Sequence, residues 1–325
     1  NMNNFYFQSR GIADFAGDFV RHGGRTLLID QVFKQSDWSK ELRKCYDLYP
    51  ELRIVFTGSS VMRLKEENPE LNGIVKSYNL RGFSFREFIN LQTGNSFQPY
   101  TLDEILRNHE HIIKQILPKV SPMKYFQDYL HHGFYPFFLE NRNFTENLLK
   151  TMNMMTEVDI LLIKQIELKY LTKIKRLFYQ LAVEGAKAPN VSQLAEEINT
   201  SRATVMNYIK YLKDARLLNL LYPEGKNFPL KPTKVYMQNT NLCYATSTRE
   251  IDPQAVAETF FYNALHGKHV VNATDRSAMF IIDGKYYMDA LATTPHKTGI
   301  RYGAIADLEQ GSQKNIPLWL FGFLY

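Results

Sequence analysis

Asp30 ends one short apolar run, Leu27-Leu28-Ile29, and Thr57-Gly58-Ser59-Ser60 ends a second, Ile54-Val55-Phe56. A carboxylate closing one buried strand, beside hydroxyls closing another, is how P-loop nucleotidases hold the Mg2+ of a bound ATP and feel its terminal phosphate. Asp30 then stands at the Walker B position as the metal ligand, with Thr57 and Ser59 at the sensor position. Gln31 falls where such hydrolases often carry the carboxylate that polarises water. An amide cannot take that proton, so hydrolysis through Gln31 is expected to be slow. The competing reading is structural, since any α/β domain has buried strands that end in Asp or Ser.

Both runs stop abruptly at polar residues, the texture of strands buried on both faces of a parallel sheet. Between them Trp38, Leu42, Cys45 and Tyr49 recur at helical spacing, which predicts strand, helix, strand. In such sheets ligands bind at the carboxyl ends of the strands, where Asp30 and Thr57 sit. Upstream, Ile12, Phe15 and Phe19 predict a short helix over 12–22, closed by Gly23-Gly24. Downstream, 61–77 is charged and reads as a helix and loop, and 76–81 alternates like a strand. Ser84-Phe85-Arg86-Glu87 is a capping box that opens a helix. Arg86, in its first turn, either reaches a phosphate of the nucleotide or is a locally paired charge.

A second kind of chemistry is written over 173–221. A helix over 173–183 is followed by a second opening at Asn190 or Ser192, a turn at Asn199-Thr200-Ser201 and a third helix over 202–215. The strand Leu217-Leu218-Asn219-Leu220-Leu221 follows. That is a helix-turn-helix in its winged form. On the last helix Val205, Tyr208, Ile209 and Leu212 face a core, while Arg202, Thr204, Asn207, Lys210 and Tyr211 face outward as on a recognition helix. Lys226, Lys231 and Lys234 fall on or near the wing. The partner this predicts is double-stranded DNA; the alternative is a module that binds protein, including self-association through the nucleotide-binding core.

The rest reads as mostly helical. Thr101-Leu102-Asp103-Glu104 caps a helix over 101–120 that Pro118 and Pro122 end. Leu148, Met152, Met155, Val158, Leu162 and Ile166 form an apolar stripe. His131-His132 lacks acids or cysteines at ligand spacing, so packing is favoured over a metal. Composition sets the bounds. The 325 residues suffice for two or three cores, and 45% hydrophobic content with 22 Phe and 20 Tyr excludes disorder. A net charge of +6 permits nucleic-acid binding without requiring it. Cys45 and Cys243 make no disulfide framework, and no run of eighteen apolar residues occurs. The expectation is a soluble cytoplasmic protein with no membrane partner.

The blocks 27–34 and 54–60, Gly82-Phe83-Ser84-Phe85-Arg86-Glu87-Phe88, and Ile316-Pro317-Leu318-Trp319-Leu320-Phe321-Gly322-Phe323-Leu324-Tyr325 follow one another in a known order. Through them the chain resembles the prokaryotic AAA-type P-loop ATPases with a C-terminal domain of unknown function. The resemblance implies a multidomain α/β protein. Its parts are a P-loop-type parallel-sheet core over 1–100, a helical lid over 101–170, a winged helix over 171–250 and a small restriction-endonuclease-like α/β domain over 251–325. It implies ATP and Mg2+ as cofactors, and it places Glu258, Asp283 and Asp289 where restriction-type nucleases gather a metal for phosphodiester hydrolysis.

The departures are specific. No Gly-x-x-x-x-Gly-Lys-Ser/Thr occurs in the 325 residues, which removes the backbone cradle and lysine that bind phosphate. The family has Glu at Gln31, His at Phe33 and a Ser-Arg-Arg segment at Asn72-Gly73-Ile74. Leu291 replaces the nuclease lysine. Either the sequence lacks a preceding P-loop segment, or the protein descends from an ATPase and acts as a non-catalytic binding protein. A metal-dependent nuclease is the weakest of the readings.

Overall fold

The computed structural model describes residues 5–58, 68–140, 143–160, 166–247, 249–274, 279–295 and 301–325. Ser59 and Ser60, at the end of the second apolar run, and Leu162, in the apolar stripe, lie outside the described residues. The chain divides into two compact units, Asn1–Leu80 and Arg81–Tyr325. Among the described residues, no helix is long and apolar enough to cross a membrane.

The first unit runs α1 (Ile12–Arg21), β1 (Thr26–Ile29), α2 (Trp38–Leu48), β2 (Arg53–Phe56). The glycine pair ends α1 as its type demands. Gly23 takes φ +84°, its N–H bonds Val20 O, and the N–H of Gly24 bonds Phe19 O, both at 2.9 Å. This satisfies the last carbonyls of the helix. β1 and β2 pair in parallel, from Thr26 opposite Arg53 to Ile29 opposite Phe56. Leu27 and Ile29 pack with Ile12, Ala13 and Ala16 of α1 and Leu42 and Cys45 of α2.

The expectation of strands buried on both faces is corrected here. Leu28 and Val55 are 71% and 56% exposed. Successive side chains on a strand point to opposite faces, and α1 and α2 both cover the face of Leu27 and Ile29. The alternating stretch 76–81 likewise forms no strand; no strand among the described residues pairs with it, and Tyr78 stays exposed.

The second unit opens with α3 (Phe85–Thr93), α4 (Leu102–Ile116) and α5 (Pro122–Asp128), then α6 (Phe144–Met154). Both predicted capping boxes form. Ser84 Oγ accepts from Glu87 N at 3.2 Å and Thr101 Oγ1 from Glu104 N at 3.2 Å. In return each glutamate accepts from the cap residue's own N–H.

Next come α7 (Leu171–Glu184), α8 (Val191–Glu197) and α9 (Arg202–Asp214), followed by the antiparallel pair β3 (Leu218–Leu221) and β4 (Lys234–Met237). Two helices, α10 (Thr240–Thr246) and α11 (Pro253–Leu265), lead to a five-stranded sheet. Its strands are β5 (Val271–Ala273), β6 (Phe280–Ile282), β7 (Tyr286–Leu291), β8 (Tyr302–Ile305) and β9 (Asn315–Pro317), side by side in chain order. Pairing is antiparallel from β5 to β7 and parallel from β7 to β9. Asp283 and Gly284, both at positive φ, turn β6 into β7 as the Asp-Gly pair predicts.

α11 is buried on every side from Ala255 to Leu265, as befits a largely apolar helix. It lies in one core with α3, α4, α5, the sheet and the C-terminal segment. The Ser-Phe-Arg-Glu block and the C-terminal aromatic block meet there. Phe85 packs edge-on against Phe126 and Phe323 with ring centroids 5.0 and 6.2 Å apart. Two stretches about 240 residues apart are thus halves of one junction.

Candidate functional site

Three hydrogen bonds build the carboxyl ends of β1 and β2. Thr57 Oγ1 donates to Asp30 Oδ1 at 2.6 Å and accepts from the Gln31 N–H at 3.0 Å. The Val32 N–H bonds Thr57 O at 3.0 Å. Gln31 sits at φ +59°, ψ +53°, a left-handed conformation that costs a non-glycine residue roughly 1–2 kcal/mol. Thr57 holds that strained residue in place and aims the Asp30 carboxylate.

With its one hydrogen donated to Asp30, the Thr57 hydroxyl orients the carboxylate. Hard oxygen donors of this kind fit Mg2+. Sequence reasoning missed the Thr57–Asp30 bond, although the two residues end neighbouring strands at matched positions. Ser59 is outside the described residues.

Arg86 is committed elsewhere. Its Nε donates to Tyr325 O at 2.9 Å, one Nη to Phe97 O at 3.1 Å and the other to Glu87 at 3.4 Å. Its side chain is 15% exposed. This geometry makes it the tie between α3 and the C-terminal segment.

On α9, Ser201 caps the N-terminus, accepting from Thr204 N at 3.1 Å and bonding the Thr204 hydroxyl at 2.8 Å. Val205, Tyr208, Ile209 and Leu212 are buried, while Arg202 and Asn207 are exposed. Lys210 lays its ammonium over the Phe228 ring, 4.7 Å from the centroid. Phe228, in the loop between β3 and β4, is a contact that spacing along α9 could not reveal. Lys226 and Lys231 are exposed on that loop. Lys234 is not available, because its Nζ lies 2.8 Å from Glu258.

The three acids suggested for a nuclease site are not brought together. Glu258 is 3% exposed on α11 and accepts from Lys234, from the Tyr236 hydroxyl at 3.0 Å and from Gln254 at 3.1 Å. Asp283 sits in the β6–β7 turn, held by the Val270 N–H and His269. Asp289 accepts from the Met279 N–H at 2.7 Å, roughly 10 Å of strand beyond Tyr286. Among the described residues no group of three or more His, Cys, Asp or Glu is placed to hold a metal ion. The resemblance implies a metal site at these three acids; the β6–β7 register separates Asp283 from Asp289.

His131 stacks on Tyr244 at 3.5 Å and His132 meets Phe144 edge-on at 5.1 Å. His109 was missed: it is 4% exposed, beside a kink in α4 at Asn108, and burial lowers its pKa.

Residues 2–89 match a family model described as an AAA domain, and residues 123–252 match one described as a domain of unknown function. The chain carries an AAA-like domain. Similar proteins include two from Methanocaldococcus jannaschii, both titled as uncharacterized. One is 27% identical over 205 residues, 61% of this chain and 43% of that protein. The other is 24% identical over 209 residues, again 61% and 43%. The chain therefore spans less than half the length of these relatives. No solved structure matches it.

Proposed function

We propose that this chain belongs to a nucleotide-dependent, DNA-associated machine in which the first unit supplies the magnesium half of an ATP site. The observation that carries this reading is the Thr57–Asp30–Gln31 clamp at the carboxyl ends of two parallel strands. Bound Mg2+ would neutralise phosphate charge. The protein's part is to present Asp30, aimed by Thr57, and to place Gln31 where water would be activated. Because Gln31 has no basic oxygen to take a proton, turnover is slow. General-base assistance typically contributes about 10² to 10⁴ in rate.

The phosphate half of the site needs a glycine-rich loop, and the 325 residues contain none. The test is calorimetry with Mg·ATP on any form of the protein that carries such a loop. Tight binding that needs Mg2+ and is lost in Asp30→Asn supports the reading; binding indifferent to Asp30 overturns it. In a form that binds, Gln31→Glu raises turnover, and an unchanged rate means Gln31 is not at the catalytic position.

In the second unit we read α7, α8, α9, β3 and β4 as a winged helix whose Arg202, Asn207, Lys210 and Lys226 meet duplex DNA. Support comes from the order of elements and from the exposure of Arg202, Asn207 and Lys226. Salt-dependent duplex binding that weakens in Arg202→Ala/Lys210→Ala tests it. A non-catalytic binding protein is the second reading, favoured by Gln31 at the acid position and by the open apolar face of Leu28 and Val55.

A further inference from the structure

A group of cations gathers where α9 and α11 end. Tyr262, on α11, donates its hydroxyl to Leu220 O at 3.0 Å, and Gln238, whose N–H bonds Leu217 O at 3.0 Å, also contacts Asn263 at 3.5 Å. These bonds run α11 alongside β3 toward its start, so the residue after α11, His266, arrives beside Arg216. His266 packs its ring 5.3 Å from Tyr262. Across the same end, the Arg81 guanidinium fills the space that a side chain at Gly267 would take, and lies over the Tyr325 ring at 5.3 Å. Lys268 donates to Leu324 O at 2.9 Å and faces the same ring at 5.9 Å.

Three chain segments far apart in sequence thus bring Arg81, Lys213 and Arg216 near one imidazole, with Lys268 beside Arg81 at the same Tyr325 ring. Asp214, 3.9 Å from Lys213, and Glu87, which acts on Tyr325, offset part of this charge. His266, Gly267, Lys268 and Lys213 are exposed, while Arg81 and Arg216 are half-buried, so the cluster opens to solvent over a partly desolvated base.

We propose that this cluster is a phosphate-binding site, and that its ligand is the backbone of duplex DNA. The choice of ligand rests on the winged-helix reading above. Arg202, Lys210 and Lys213 fall on one edge of α9 and lead from its N-terminus to the cluster, about 16 Å along the helix. A duplex held at the N-terminal end of α9 would meet a second row of cations at the other end. Packing of the ring, then the charges of Arg81, Lys213 and Arg216, lower the imidazole pKa.

The test uses the whole chain and two readouts. Duplex affinity is measured against salt for the wild type, for Lys213→Gln/Lys268→Gln, whose substituted side chains are exposed, and for Arg202→Ala/Lys210→Ala. Separately, the His266 imidazole is titrated by NMR with and without duplex, and with inorganic pyrophosphate. Loss of two phosphate contacts should lower the slope of log K against log salt by about 1.8 in Lys213→Gln/Lys268→Gln. Added duplex should raise the His266 pKa, since phosphate neutralises the surrounding cations.

If duplex binds but neither the slope nor His266 responds, the cluster proposal is overturned while the DNA reading stands. If duplex does not bind at all, the DNA reading fails with the choice of ligand. Pyrophosphate then decides the site itself: a raised His266 pKa supports a phosphate site for a different ligand, and an unmoved one overturns it.

Discussion

The apolar runs of the two units look alike in sequence and behave differently. In the second unit Phe280, Ile281 and Ile282 of β6 are all buried, and α11 is covered on every side. In the first unit Leu27 and Ile29 are buried while Leu28 between them is 71% exposed. An apolar run therefore records that a strand can be covered on both faces, and the layers present decide whether it is. The second unit completes its layers with its own C-terminal segment. The first covers one face and leaves the other open, above a polar clamp that is already built.

The largest effect should separate the two. Phe85→Ala removes a fully buried ring from the junction with Phe126 and Phe323, and such truncations cost about 3–5 kcal/mol. A loss under about 1 kcal/mol in urea unfolding would mean that the two blocks do not share a core.

Thr57→Val should cost less, about 1–2 kcal/mol from the hydrogen bonds to Asp30 and Gln31, seen in unfolding of the first unit. Its converse, Gln31→Gly, should stabilise by up to about 1 kcal/mol, because glycine takes the left-handed conformation without strain. Destabilisation by Gln31→Gly would contradict the clamp.

Acid should act on the second unit through His109. Its folded pKa lies below the ordinary value of about 6.5, so the unfolded chain binds the proton first. Stability is thus lost as pH falls from about 6.5 toward the folded value. Comparing urea midpoints at neutral and mildly acid pH, His109→Leu should show a shallower loss than the wild type; an equal loss removes His109 from the account. The smallest effect belongs to the open face. Leu28→Thr and Val55→Thr should change stability by no more than about 0.5 kcal/mol, since both side chains already meet water. A core-sized loss would mean that this face is covered in solution.

Local physics made much of this legible. The capping boxes at Ser84 and Thr101, the glycine stop after α1 and the Asp283-Gly284 turn depend on neighbours within a few residues. The buried face of α9 followed from helical period. The partners of Arg86 were hidden because Tyr325 lies 239 residues away. The family resemblance set Glu258, Asp283 and Asp289 at nuclease positions, but only pairing register shows that the β6–β7 hairpin holds two of them apart. The open face of β1 was hidden because no property of Leu28 says whether a layer will lie over it.

The reading proposed for the first unit is the magnesium half of a nucleotide site, and the 325 residues contain no Gly-x-x-x-x-Gly-Lys-Ser/Thr to supply the phosphate half. Calorimetry of this chain with Mg·ATP tests it most directly. The account predicts no binding in the micromolar range, while micromolar binding that disappears in Asp30→Asn would contradict it.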